Sequence, residues 1–286
     1  MESLLSRRNL IQASTVLTGA LQLRSEQASH LKLSVRVEPL FRGMNLPEQM
    51  RKVAEAGYQG FEFGDWRAYD PAEITKLAHQ LHIECACLVG NRGVNPKGMG
   101  LTNPSERDGF LGEIAASIDA AKRYETTRLV TLTANEVPGM PRDAQHRSIV
   151  EGLKRAHELV APPKITLIVE PLNTLVDHQG YYLNHIAEAW DIMREVDSPY
   201  VKILFDIYHV QIMDGNLIKN IGTNIGRIGH FHVGDVPGRH QPGTGEIDYL
   251  NVFRAIRDTG FHDFVAMEYM PSIDPMTTLA QVKSIA

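Results

Sequence analysis

Ile165-Thr166-Leu167-Ile168-Val169-Glu170 is a run of β-branched and apolar residues that stops on a carboxylate. A strand this short and this continuously apolar has no face to give to water, so it belongs in a parallel sheet covered on both sides. The pattern returns downstream at Val201 to Asp206, Ile228 to Val233 and Phe264 to Glu268. Upstream it appears at Leu31 to Val37, Gly60 to Phe63, Ile83 to Val89 and Arg128 to Thr133. Between these eight runs lie segments whose apolar positions are three and four apart: Pro47 to Ala56, Pro71 to Leu81, Glu106 to Tyr124, Ala144 to Leu159, Leu183 to Val196 and Tyr249 to Thr259. Pro47 and Pro71 stand where a first helical turn tolerates proline, behind Asn45 and Asp70 as caps. Strand-then-helix alternation carried across eight strand runs predicts the α/β class and a closed (β/α)8 TIM barrel, a single domain over residues 31–286. The competing doubly wound sheet would carry a GxGxxG turn after its first strand, where this chain has Glu38-Pro39-Leu40-Phe41.

The 286 residues accommodate such a barrel, and 43% hydrophobic with 22% charged residues excludes global disorder. A net charge of −5, from 29 basic and 34 acidic side chains, gives no electrostatic reason to bind nucleic acid. No run approaches the roughly 18 consecutive apolar residues of a membrane-spanning helix. Cys85 and Cys87 are too few for a disulfide framework and read as packing residues. Residues 1–30 differ from the rest: Ser6-Arg7-Arg8-Asn9-Leu10-Ile11, followed by a mildly apolar stretch, resembles a twin-arginine export signal. That implies a periplasmic protein whose residues 1–30 stand apart from the barrel. The alternative is an amphipathic N-terminal helix on a cytoplasmic protein.

A βα barrel builds its site at the carboxyl ends of its strands, so polar residues that close apolar strands carry the chemistry. Glu170, Asp206 and Glu268 do so on strands five, six and eight, and strand seven between them contains His230-Phe231-His232. Three carboxylates converging on one point repel one another unless a cation or protons neutralise them, and a divalent metal is the direct solution. Oxygen-rich ligation with one imidazole suits Mg²⁺, Mn²⁺ or Co²⁺ better than structural zinc.

Glu170-Pro171-Leu172-Asn173, Phe205-Asp206-Ile207-Tyr208-His209, Ile228-Gly229-His230-Phe231-His232, Pro242-Gly243-Thr244-Gly245-Glu246-Ile247-Asp248 and Met267-Glu268-Tyr269, in this order, resemble the hydroxypyruvate isomerase branch of the xylose-isomerase-like barrels. The resemblance implies that Glu170, Asp206, His232 and Glu268 bind a divalent cation, and that Glu170 and Glu268 are the catalytic proton carriers. It implies conversion of a small hydroxy-carbonyl compound, of the type hydroxypyruvate to tartronate semialdehyde, through an enediolate. His232 departs from the pattern, since hydroxypyruvate isomerases typically have Gln there and the related ketose 3-epimerases have His. Ketose 3-epimerisation is therefore the enzymatic alternative, and an exported sugar-binding barrel without catalysis the non-enzymatic one. Phosphodiester cleavage, as in related endonuclease barrels, would call for more histidine ligands and a basic groove. The partner expected is a small-molecule substrate, and a homo-oligomer is compatible with all of these readings.

Other polar positions carry two readings each. His209 donates a hydrogen bond to a substrate oxygen or orients a ligand. Arg239 and His240 bind a substrate carboxylate or hydroxyl, or lie solvated in a loop. Glu62 and Asn91, near the ends of strands two and three, contact substrate or make structural hydrogen bonds. Asn173 orients Glu170. Trp66 walls the pocket or packs between a loop and a helix. His30, His79, His82, His146, His157, His178, His185 and His262 fall away from strand ends and read as surface histidines.

Overall fold

The computed structural model describes residues 31–93 and 99–286, and the twin-arginine motif and His30 lie outside them. Eight parallel strands close into a barrel in chain order: β1 (Lys32–Arg36), β2 (Gly60–Phe63), β3 (Glu84–Val89), β4 (Arg128–Thr131), β5 (Thr166–Val169), β6 (Val201–Asp206), β7 (Ile228–Val233) and β8 (Phe264–Met267). Closure is made by β1 against β8, with Val35 opposite Met267. The helices of eight residues or more are α1 (Leu46–Glu55), α2 (Pro71–Leu81), α3 (Arg107–Arg123), α4 (Arg142–Val160), α5 (Ile186–Val196), α6 (Leu217–Asn224), α7 (Tyr249–Asp258) and α8 (Pro275–Ile285), with short helices Val37–Leu40 after β1 and Ile207–Met213 after β6.

The expected caps are formed. Asn45 and Glu48 make a reciprocal capping box at the start of α1, and Asp70 accepts from the Ala72 N–H at the start of α2. Two helices escape the periodicity reading. In α6 the eight residues Leu217–Asn224 include two asparagines, a glycine and a threonine, all weak helix formers, and α8 buries only Thr278, Leu279 and Val282. Both are held by packing against the barrel rather than by propensity.

Along each strand one set of side chains packs under the helices while the alternate set fills the barrel. Register shifts between Phe61 and Glu62 on β2 and between Ile203 and Leu204 on β6 place Glu62 beside Cys87 and Asp206 beside His232. The barrel interior is therefore polar at its upper end, where Ser34, Glu62, His230 and His232 are all buried. Cys85 and Cys87 are free and buried. Among the described residues no helix is long and apolar enough to cross a membrane.

Candidate active site

The four expected ligands come together. One ligand atom from each of Glu170, Asp206, His232 and Glu268 lies within 4.8 Å of the other three. Glu170 leaves β5 with its N–H on the Thr131 carbonyl and its own carbonyl accepting from the Tyr181 hydroxyl. Asp206 ends β6 and doubles as the cap of the short helix Ile207–Met213, its Oδ1 accepting from the N–H groups of Tyr208 and His209. Glu268 follows β8, tied through its N–H to the Val233 carbonyl.

Glu62 fixes the tautomer of His232. Its Oε2 accepts from His232 Nε2 at 3.1 Å, while its Oε1 accepts from His230 Nε2 and the Ser34 hydroxyl, each at 2.8 Å. His232 Nδ1 stands 2.8 Å from Glu268 Oε2 and 3.6 Å from Glu170 Oε1, and against the cost of burial these carboxylates hold the imidazole well above its ordinary range. With Nε2–H committed to Glu62, Nδ1 is the nitrogen that, on giving up its proton, would join the carboxylate oxygens in holding a divalent cation, backed by a carboxylate behind the ring. The residues present therefore fit the metal. Burial opposes the charge on Glu62, but the imidazoles of His230 and His232 hold it well below the usual carboxylate range.

Arg239 sits beside the same group, on the loop after β7. Its Nη2 donates to Asp206 Oδ2 at 2.9 Å and to Glu268 Oε2 at 2.7 Å, while Nε is buried without a partner. Its backbone is left-handed, with φ at +53°. Burial disfavours ionisation of Glu268, yet Arg239 and His232 keep it ionised well below the ordinary range; burial raises Asp206.

The loop that presents Arg239 is organised by a residue the sequence reading passed over. Asp235 is fully buried and accepts from the N–H groups of Gly243, Thr244 and Gly245 on Oδ2 and of Val236 and Ile247 on Oδ1. A Cβ on Gly245 would stand 2.0 Å from the Val236 carbonyl oxygen, so the close approach needs glycine. The stretch Pro242 to Asp248 thus folds the loop and caps α7, through Asp248 and the Asn251 N–H, without lining the cavity.

His209 faces the cavity in a defined state. Asn173 donates to its Nδ1 from both its backbone N–H, at 3.2 Å, and its side-chain amide, at 2.7 Å. The Asn173 oxygen meanwhile accepts from Val176 and Asp177, which fixes the amide orientation. The ring proton of His209 is therefore on Nε2, buried, 3.5 Å from Asp206 Oδ2 and without a hydrogen-bond partner. Burial, with Arg239 alongside, pushes its pKa down to about 3, so the ring is a neutral donor. Asn173 thus orients His209, where the sequence had suggested Glu170.

The cavity among these groups measures about 240 Å³ and is walled by Arg36, Val89, Val130, Leu132 and Leu172 besides Glu170, His232, Glu268, His178, His209 and Arg239. Two expected contact residues lie elsewhere. Glu62 is beneath His232, with no exposed surface. Asn91 is 1% exposed and spends its amide on the Leu132 backbone, at 2.8 and 2.9 Å, and on the Met99 carbonyl. Trp66 donates to the Val89 carbonyl, and His240 is bonded to the Met270 carbonyl. His178, read as a surface residue, lines the cavity, its ring 5.3 Å from that of His209. Arg36, at the end of β1, was missed altogether; its position closing the first strand was the available signal.

Comparison with known proteins agrees with this geometry. The profile of the xylose isomerase-like TIM barrel family matches residues 50–282. The chain is 30% identical over 247 residues to the hydroxypyruvate isomerase of Escherichia coli, covering 84% of this chain and 94% of that one. It is 34% identical over 246 residues to the 2-oxo-tetronate isomerase of Pectobacterium atrosepticum, covering 84% and 92%. Among solved structures, a Brucella melitensis protein described as an AP endonuclease of family 2 superposes with a TM-score of 0.80 at 26% identity, covering 88% of this chain and 98% of that one.

Proposed function

The chain belongs to the xylose isomerase-like TIM barrel family and is an isomerase, and from that premise we propose that it interconverts small hydroxy-keto acids of the hydroxypyruvate type in a divalent-metal-dependent reaction. The observation that carries this reading is the convergence of Glu170, Asp206, His232 and Glu268, one ligand atom of each within 4.8 Å of the others. When bound, the cation offsets three carboxylates and polarises the carbonyl and neighbouring hydroxyl of the substrate.

The remaining chemistry belongs to the chain. One of the two glutamates, Glu170 or Glu268, takes the proton from the hydroxymethyl carbon, and the electron pair moves into the enediolate. The same proton is then delivered to the adjacent carbon while the hydroxyl proton passes from the terminal oxygen to the former carbonyl oxygen, which turns a 2-keto acid into its aldehyde isomer with no net change of atoms. His209 Nε2–H and Arg239 Nε–H, both buried and unpartnered, are placed to donate to substrate oxygens where negative charge develops. Val89, Val130, Leu132 and Leu172 keep the reacting carbons away from water.

His232 supports a second reading, ketose 3-epimerisation, because two carboxylates across a metal also serve proton exchange on opposite faces of one carbon. The endonuclease reading has less support, with one histidine in the ligand set and a net charge of −5. Assays of hydroxypyruvate and of a ketose panel with added Mn²⁺ or Mg²⁺ separate isomerase from epimerase. Glu170→Gln and Glu268→Gln keep size and one oxygen donor but remove the proton carrier. Each is expected to lose at least about a hundredfold in kcat while still binding metal, if more weakly. Near wild-type kcat in either variant with metal bound would reduce that residue to a ligand.

A further inference from the structure

We propose that Arg36 seats the carboxylate of the substrate, making the site selective for short 2-oxo and 2-hydroxy acids over uncharged ketoses. The inference rests on the isomerase reading for the reaction but on separate residues for the recognition. Arg36 closes β1 and walls the same cavity as Glu170, His232 and Glu268. Its guanidinium is gripped from one side only: Nε lies 3.0 Å from Glu38 Oε2, its sole ion pair among the described residues. Glu38 is itself held by the Gly64 N–H, which donates to the other carboxylate oxygen. A Cβ on Gly64 would come within 2.8 Å of Arg36 Nη2, so glycine there leaves the guanidinium its place. The Nη edge makes no hydrogen bond to a described residue, and a planar fork with a free edge matches a carboxylate.

The other guanidinium on the cavity is already engaged. Arg239 Nη2 is shared between Asp206 and Glu268, so a carboxylate binding there would compete with two of the metal ligands. Arg36 carries no such duty. In a cavity of about 240 Å³, a three- or four-carbon acid whose oxygens engage the ligand cluster brings its far end against the wall, and Arg36 is the cation on that wall whose Nη donors are not tied to a metal ligand.

Titration of the Mn²⁺-loaded full chain with D-glycerate, which has the carboxylate and hydroxyl but no carbonyl, reads the seat whether or not turnover occurs. Arg36→Gln is expected to weaken glycerate binding on the order of ten- to a hundredfold, and Arg36→Lys to recover part of the loss. The ratio of kcat/KM for hydroxypyruvate over dihydroxyacetone should fall in parallel. Melting temperature and Mn²⁺ affinity of the variant report whether the site is intact. Unchanged glycerate binding overturns the seat, as does an equal loss with both substrates, which would mean that Arg36 acts only on the charge of Glu268. Wild-type protein that binds glycerate through Arg36 but isomerises no hydroxypyruvate sinks the reaction and leaves the seat standing. Wild-type turnover of hydroxypyruvate with an unchanged KM in Arg36→Gln does the reverse.

Discussion

Glu62 and His232 show how a single proton position decides what a residue can do. A carboxylate behind Nε2 turns the imidazole so that its basic nitrogen faces Glu170 and Glu268, and the same carboxylate is steadied by His230 and Ser34. Glu62→Gln keeps the shape but presents an amide that can turn its N–H₂ toward the rings. Metal affinity is expected to fall by about ten- to a hundredfold, the usual cost of losing such a partner, with little change in the substrate dependence of the metal-saturated enzyme. Calorimetric titration with Mn²⁺ measures this, and unchanged affinity would mean that His232 is oriented by packing alone. The residue types at 170, 206, 232 and 268 were legible because each closes an apolar strand. Glu62 has the same sequence context and a different fate, because its partners His230 and His232 lie 168 and 170 positions away.

At the scale of an element, the loop from Gly234 to Asp248 holds Arg239 at the mouth of the barrel, and one buried carboxylate organises it. Asp235→Ala strips five backbone N–H groups of their acceptor; those of the exposed Gly243, Thr244 and Gly245 can turn to water, whereas that of Ile247 is left buried and unpaired, at a cost of about 1–3 kcal/mol. The loop is expected to lose its order, with a raised KM and a fall in stability of about 1–3 kcal/mol. Denaturant unfolding and steady-state kinetics check both, and a variant with wild-type values in each would show that the loop is held from elsewhere. Helices α6 and α8 belong to the same scale. Weak helix formers hid α6 despite its helical apolar spacing, and weak periodicity hid α8; packing supplies what their own residues do not.

For the molecule as a whole, the proposed ligation would couple to folding, since a cation bound only by the native ligand set stabilises the native state. Exhaustive chelation should abolish turnover. It should also lower the melting temperature by about 5–10 °C relative to protein with metal at a hundred times its dissociation constant. Readdition of Mn²⁺ should restore both, and full activity after chelation contradicts the ligand assignment. Export is tested separately: a reporter fused to residues 1–30 is expected in the periplasm, and Arg7→Lys with Arg8→Lys should retain it in the cytoplasm. Cytoplasmic retention of the unaltered fusion favours the amphipathic-helix reading.

The sequence by itself determined the barrel and the residues gathered at its carboxyl end. Short apolar runs with no solvent face require a sheet covered on both sides, and a parallel barrel has only one end at which Glu170, Asp206, His232 and Glu268 can meet. The tertiary structure alone decided which of the other polar residues face the cavity. Glu62 and Asn91 are consumed by buried hydrogen bonds, Asn173 serves His209, and Arg36 and His178 reach the cavity wall. The physical reason is that a buried polar group must find a partner, and whether that partner is protein or substrate depends on which distant strand or loop the fold brings beside it.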